Sequence, residues 1–87
     1  MVATELDPII STTQFKIDRF YSLVIPYELR PKFKELMRNL QPDLYKQCIE
    51  NRIRFFNNPT EENSKKWLEA SKSLIIKSFC KHKHIAF

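Results

Sequence analysis

The sequence predicts an all-α fold, a small bundle of about four helices joined by short connections. Three observations support this prediction. Apolar residues recur at intervals of three and four along most of the chain, which is the period of an amphipathic helix. Glycine, which supplies the positive-φ positions of tight β-hairpins, is absent. The five prolines fall where helices are expected to begin or end.

The chain of 87 residues is long enough for one domain. A domain of this size buries only about 60% of the surface of its unfolded chain, so a second copy would add to its stability and a homodimer is left open. Residues 1–10 lack periodicity and are predicted to form an N-terminal arm. Residues 11–82 are predicted to form the helical bundle, and residues 83–87 a C-terminal tail.

Pro26 separates the first two predicted helices, because proline interrupts the hydrogen bonds of a helix interior. Ser11 or Thr12 is a suitable N-cap for the first helix, which is expected to run to about Val24. Its expected inward residues are Phe15, Phe20, Tyr21 and Val24. The second helix is expected to start near Pro31. Its inward stripe is Leu29, Phe33, Leu36, Met37 and Leu40.

Two further prolines mark the third and fourth helices. Pro42 is suited to the first turn of the third helix, whose expected inward residues are Tyr45, Cys48, Ile49, Ile53 and Phe56. Asn58, Pro59 and Glu61 read as the N-cap, first position and capping-box acid of the fourth helix, which is expected to run to Phe79 or slightly beyond. Its inward stripe is Trp67, Leu68, Ser71, Leu74, Ile75, Ser78 and Phe79.

The residue pattern offers no catalytic or cofactor site. Without glycine there is no phosphate-binding loop, so the common backbone-amide nucleotide sites are excluded. Cys80, His82 and His84 stand at alternate positions, which a helix separates by about 200°, so we expect no metal site. Cys48 falls on a core stripe, where a thiol is inert, and both histidines lie near the terminus. We therefore expect no enzyme activity, no cofactor and no small-molecule substrate.

Membrane insertion and secretion are not expected. The longest apolar run is three residues, whereas a spanning helix needs about 20. The N-terminus lacks the basic segment and apolar run of a secretory signal. Two cysteines do not make a disulfide framework, so we expect an intracellular protein, cytoplasmic or nuclear, with reduced thiols.

Charge is distributed unevenly along the chain. Residues 1–29 hold two basic and four acidic side chains, a balance of −2, whereas residues 30–87 hold thirteen basic and six acidic side chains, a balance of +7. Arg30, Lys34 and Arg38 recur every four residues and so form a stripe on the second helix. The residues predicted to contact nucleic acid are Arg30, Lys34, Arg38, Lys46, Arg54, Lys65, Lys66 and Lys72.

The charge pattern favours a nucleic-acid-associated accessory or regulatory protein. A cationic surface attracts RNA or DNA, and each phosphate that it neutralises adds salt-dependent affinity. The sequence has no helix-turn-helix signature, no paired Cys/His finger and no aromatic RNP motif. Contacts are therefore expected to go to phosphates, with recognition of shape and little sequence preference.

The alternative is a protein-interaction module, such as an adaptor, an inhibitor or a structural subunit. Apolar residues at helix ends and termini would dock on another chain. Phe56 fits the inward stripe of the third helix and Phe55 lies about 100° away from it, so Phe55 is predicted to be left for a partner. The other predicted partner-binding residues are Ile9, Ile10 and Phe87. Trp67, by its spacing, is expected to be a core residue.

Overall fold

The protein is four α-helices, and the all-α prediction is confirmed. The structure is a computed structural model that describes residues 8–86, with side chains for residues 8–84. Residues 1–7, most of the predicted arm, and Phe87 lie outside the described residues. The helices are α1 (Pro8–Val24), α2 (Arg30–Leu40), α3 (Pro42–Asn57) and α4 (Glu61–Ala86).

Three of the helix starts follow from prolines in the local sequence, although α1 begins earlier than predicted. Helix α1 already includes Pro8, a residue suited to a first helical turn, so residues 8–10 are helical instead of part of an arm. Pro31 and Pro42 stand in the first turns of α2 and α3 as predicted. Helix α4 continues through the predicted tail to Ala86.

The cap of α4 is Thr60 and not Asn58. Thr60 Oγ1 accepts a hydrogen bond from the backbone N–H of Asn63 at 3.2 Å, the N3 contact of an N-cap residue. Asn58 instead ends α3, where its N–H donates to the carbonyl of Arg54 at 2.9 Å. The carbonyl of Asn58 then accepts a hydrogen bond from Asn63 Nδ2 at 2.9 Å. Asn58 thus ends α3 and bonds to the first turn of α4, but it is not the N-cap of α4.

Helix α4 is the central helix, and the other three pack on it. Thr13 hydrogen-bonds to Ser64, and about two turns further along both helices Lys72 lies over the ring of Phe20, so α1 runs parallel to α4. Helix α3 runs antiparallel to α4, because Phe55 contacts Trp67 whereas the earlier residue Cys48 contacts the later residue Ser71.

Helix α2 covers the C-terminal half of α4. The Phe33 ring lies 6.2 Å from that of Phe79 and 6.0 Å from that of His82, between ring centroids. The Lys81 ammonium donates to the carbonyl of Leu40 at 3.0 Å and so caps the end of α2. Helices α1 and α3 both pack mainly on α4, and they share one core cluster through Ile10 and Phe55.

The inward stripe of α4 is confirmed, including the core position of Trp67. Its buried residues are Trp67, Ser71, Leu74, Ile75 and Ser78, and Leu68 and Phe79 are half-buried. They join two core clusters. One contains Ile25, Phe33, Met37, Leu74 and Ile75, and the other contains Ile10, Phe55 and Trp67. A single helix therefore supplies both clusters.

The predicted inward faces of α1 and α3 are partly wrong. Phe15 is 64% exposed, and Ile10 and Thr13 are the buried residues of α1. On α3, Ile53 is 55% exposed and Phe55 is buried. Two apolar stripes lie side by side on each helix, and the contacts with α4 decide which of them is inward.

Ser78 offers a stability test, since its buried hydroxyl has no hydrogen-bond partner among the described residues. A buried polar group without a partner reduces stability, and alanine is also the better helix former. We expect Ser78→Ala to stabilise the fold by about 1 kcal/mol in urea unfolding. Ser73→Ala, at a more exposed position of the same helix, measures the effect of helix propensity alone. If the two variants gain equally, the Ser78 hydroxyl carries no burial cost.

Candidate functional site

The basic residues predicted to contact nucleic acid are spread over several surfaces. Lys65 and Lys72 lie along the edge of α4 that faces α1. Lys46 and Arg54 are exposed on α3, which packs on the other side of α4. Arg38 is exposed on α2. The predicted residues therefore do not form one contiguous cationic face.

Arg30 holds the connection between α1 and α2. Its Nε donates to the carbonyl of Ile25 at 3.0 Å and its Nη2 donates to the carbonyl of Ser22 at 2.6 Å. These carbonyls lie at the C-terminal end of α1, where a cation also interacts favourably with the helix dipole. The guanidinium, held at 5.5 Å from the centroid of the Tyr27 ring, is thus committed to the fold.

Tyr21 completes this connection from α1. Its hydroxyl donates to the carbonyl of Arg30 at 2.7 Å. Burial raises the pKa of Tyr21, and the positive charge of Arg30 partly opposes this rise. The phenol is therefore protonated at neutral pH and remains a hydrogen-bond donor.

Lys34 and Lys66 are also engaged by neighbouring side chains. The ammonium of Lys34 lies over the Tyr21 ring, 6.0 Å from its centroid. Lys66 Nζ stands 3.5 Å from Glu62 Oε2, which is the one ion pair within residues 8–84. Both partners of this pair are largely exposed, so it contributes at most about 1 kcal/mol.

Four other cations converge along the contact between α1 and α4. We call Lys16, Arg19, Lys65 and Lys72 the basic seam. A surface groove of about 210 Å³ runs between the two helices and is lined by Lys16, Arg19 and Lys72, with Phe20, Leu23 and Leu68 as its apolar floor. A second groove, of about 570 Å³, continues towards the N-terminal ends of both helices and is lined by Lys16 and Lys65. Lys16 borders both grooves.

Two acids lie close to the basic seam: Glu61, and Glu69, which stands four residues after Lys65 and three before Lys72 on α4. Glu61 is the single acid that lines either of these two grooves, and none of the four cations makes an ion pair among residues 8–84. Lys83 extends the seam along α4, since Lys65, Lys72 and Lys83 stand seven and eleven residues apart and return to one edge of the helix within about 20°. From Lys65 to Lys83 this edge is about 27 Å long.

Sequence reasoning missed the contribution of Lys16 and Arg19 to this surface. Both belong to residues 1–29, whose net charge is negative. The acid nearest to them in sequence, Asp18, lies on the other side of α1 and borders a different groove. Only the parallel packing of α1 on α4 brings Lys16 and Arg19 beside Lys65 and Lys72.

The predicted apolar partner contacts are corrected in position. Phe55 is fully buried against Trp67, with 5.7 Å between ring centroids, and Phe56 is 41% exposed. Ile10 is buried in the same cluster, and Ile9 packs against it. These side chains serve the core of the chain itself. The exposed apolar surface near this cluster belongs to Phe56 and Ile53.

The candidate metal and nucleophile residues lie on two helices. Cys80 and His82 are both within α4, and Cys48 Sγ hydrogen-bonds to Ser71 Oγ at 3.3 Å. In the part of the chain that the structure describes, no three His, Cys, Asp or Glu side chains are grouped closely enough to hold a metal ion. Among residues 8–86, no helix is long and apolar enough to cross a lipid bilayer.

Comparison of the chain with known protein families, with curated proteins and with solved structures finds no significant match.

Proposed function

We propose that this chain is a non-catalytic protein that binds the phosphate backbone of RNA or DNA through the basic seam. The observation that carries the proposal is the convergence of four cations from two helices on one grooved face, where they outnumber the acids Glu61 and Glu69. Cations held on helices need little reorganisation to meet a polyanion, and each phosphate contact releases counterions.

The chemistry of the seam favours contacts to phosphates over contacts to bases. Its long cationic side chains extend from an apolar floor of Phe20, Leu23 and Leu68. That floor offers no side-chain donor or acceptor with which to read base edges, and in the larger groove the hydroxyls of Thr13 and Ser64 bond to each other. Lys and Arg bind phosphates in any sequence. Recognition of backbone and shape, with little sequence preference, follows from this composition.

The proposal includes a cytoplasmic or nuclear location and an accessory or regulatory role, as the charge pattern and the two unpaired cysteines predict. A homodimer would present the seam twice and so raise the affinity for a long duplex. Light scattering of the free protein and of its complex with a duplex measures the number of copies.

Neutralising the seam tests the proposal. In Lys16→Gln/Arg19→Gln/Lys65→Gln/Lys72→Gln, we expect the affinity for a 24-base-pair duplex to fall by at least about 30-fold at 100 mM salt. The slope of log K against log salt should become shallower by about 3.6 if all four cations contact phosphates, because each lost phosphate contact removes about 0.9. Fluorescence anisotropy of the labelled duplex between 50 and 200 mM salt measures both quantities.

A matched variant separates the seam from net charge. Arg38→Gln/Lys46→Gln/Arg54→Gln/Lys77→Gln removes four exposed cations from other surfaces, and both variants change the formal net charge from +5 to +1. We expect the affinity of this control variant for the duplex to fall by less than about 5-fold, because only the long-range electrostatic field of the protein is reduced. Equal losses in the two variants would show that no particular face binds. Binding of the unaltered chain to anionic vesicles but not to the duplex would also contradict the proposal.

A further inference from the structure

A third groove lies on the opposite side of α1 from the basic seam. Beyond the cluster that Ile10 of α1 and Phe55 of α3 share with Trp67, a channel of about 170 Å³ lies between α1 and α3, which we call the central groove. Its walls and floor are mainly apolar or aromatic. They include Ile17 and Tyr21 from α1, Tyr45 and Ile49 from α3, and Trp67 and Leu74 from α4.

The two walls of the central groove are each about two helical turns long. The lining residues span 14–21 on α1 and 45–52 on α3, which are eight residues each and about 10 Å of helix. One turn beyond Arg52, outside the groove itself, Phe56 adds an exposed ring beside the end of the α3 wall. A partner helix of two to three turns would contact both walls and complete a fourth position around α4.

Charge at the edges of the groove indicates which helix would fit. Arg52 lies on the α3 wall, with its guanidinium 5.5 Å from the centroid of the Phe56 ring, and Lys34 lies at the α2 end. Neither cation makes an ion pair among residues 8–84. Asp18, which accepts a hydrogen bond from Gln14 at 3.1 Å, is the one acid among the lining residues and lies on the α1 wall.

From this arrangement we propose that the central groove binds an amphipathic helix of a partner protein. The apolar face of that helix packs on the partly exposed walls, above the buried Trp67, and its acidic residues lie along the edge that faces Arg52 and Lys34. A second copy of this chain fits less well. The formal net charge of +5 opposes self-association, and the two cations at the groove edge outnumber Asp18.

Two designed peptides test this proposal on the full chain. Each is an 18-residue helix with leucines at three- and four-residue spacing, and one edge carries glutamates in the first peptide and lysines in the second. Trp67, the single tryptophan, lies in the groove, so its emission reports occupancy. We expect the acidic peptide to shift this emission and to bind at least about 10-fold more tightly than the basic peptide.

Charge reversal at the groove edge should reverse this preference. In Lys34→Glu/Arg52→Glu, we expect the affinity for the acidic peptide to fall at least about 10-fold and the affinity for the basic peptide to rise. Arg38→Glu/Arg54→Glu, on exposed residues that do not line the groove, makes the same change in net charge and should keep the original preference. Equal losses in the two variants, or a Trp67 emission that neither peptide changes, would overturn the proposal.

A thiol in the groove supplies a second measurement. Cys48 lines the central groove, and in a Cys80→Ser background it is the one remaining cysteine. We expect the acidic peptide to slow its alkylation by a maleimide at least about 5-fold, in proportion to the occupancy that Trp67 reports. A concentration-dependent dimer that protects Cys48 without any peptide, and that dissociates in Lys34→Glu/Arg52→Glu, would assign the groove to a second copy and contradict the proposal.

Discussion

Replacing Phe33 with alanine is expected to lower the free energy of unfolding by about 3–5 kcal/mol. Phe33 is fully buried, and its ring contacts the rings of Tyr21, Phe79 and His82 at 6.0–6.4 Å between centroids. It therefore joins α1, α2 and α4, and alanine would leave a cavity that three helices cannot easily close. The free energy of unfolding of a native protein is about 5–15 kcal/mol, so this loss is a large part of the total.

Urea unfolding followed by circular dichroism at 222 nm measures this effect. In thermal unfolding, the midpoint temperature should fall by at least about 12 °C, since each kcal/mol lowers the midpoint of a domain of this size by about 4 °C or more. Phe33→Leu keeps most of the volume and should lose about 1–2 kcal/mol, which keeps the effect measurable if the alanine variant does not fold. Leu23→Ala is the surface control and should stay within about 0.5 kcal/mol, because Leu23 is 75% exposed.

Phe55 and Phe56 are expected to differ strongly although they are neighbours. Phe55→Ala should cost about 3–5 kcal/mol, because its ring is buried between Ile10 and Trp67. Phe56→Ala should cost about 1 kcal/mol, because its ring is partly exposed and contacts Trp67 from one side only. Comparison of the two variants therefore shows which side of α3 faces the core.

Chemical unfolding of the two variants under identical conditions checks this difference. Equal losses would mean that α3 has no single inward aromatic residue, and a larger loss for Phe56→Ala would restore the inward stripe that the spacing alone predicts. Peptide binding should distinguish the two variants in the opposite way, with the larger effect in Phe56→Ala. Phe56→Ala removes the exposed ring beside Arg52 and should lower the affinity for the acidic peptide. The Phe55→Ala variant, where it folds, should still bind the acidic peptide more tightly than the basic peptide.

The two proposed binding surfaces share no residue, although both use α1. Lys16 and Arg19 face the basic seam, whereas Gln14, Ile17 and Asp18 face the central groove on the other side of the helix. A nucleic acid and a partner helix would therefore not compete for the same side chains. The experiments are independent for the same reason, since the seam variant leaves Lys34 and Arg52 in place.

The position of Arg30 illustrates how a charge pattern and a fold can diverge. Its four-residue spacing from Lys34 and Arg38 predicts a cationic stripe, because such residues are neighbours on a helix. Yet its guanidinium binds the carbonyls of Ser22 and Ile25 across the chain turn. Periodicity describes which residues share a side of one helix, but it carries no information on whether a side chain reaches a second helix.

The sequence by itself determined the number of helices, their approximate bounds and the inward face of α4. Prolines at helix starts and a strong apolar stripe act within one turn, so their effects are local. It also determined that Trp67 belongs to the core, because Ser71, Leu74 and Ile75 repeat its position along the same stripe.

Only the tertiary structure decided which aromatic residue of α3 is buried, and which cations stand together. Adjacent residues such as Phe55 and Phe56 lie about 100° apart on a helix, and contact with Trp67 selects one of them. Lys16 and Lys72 are far apart in sequence and become neighbours because α1 packs parallel to α4. Both outcomes depend on the direction and rotation of whole helices, which the burial of several stripes at once determines and no single stripe records.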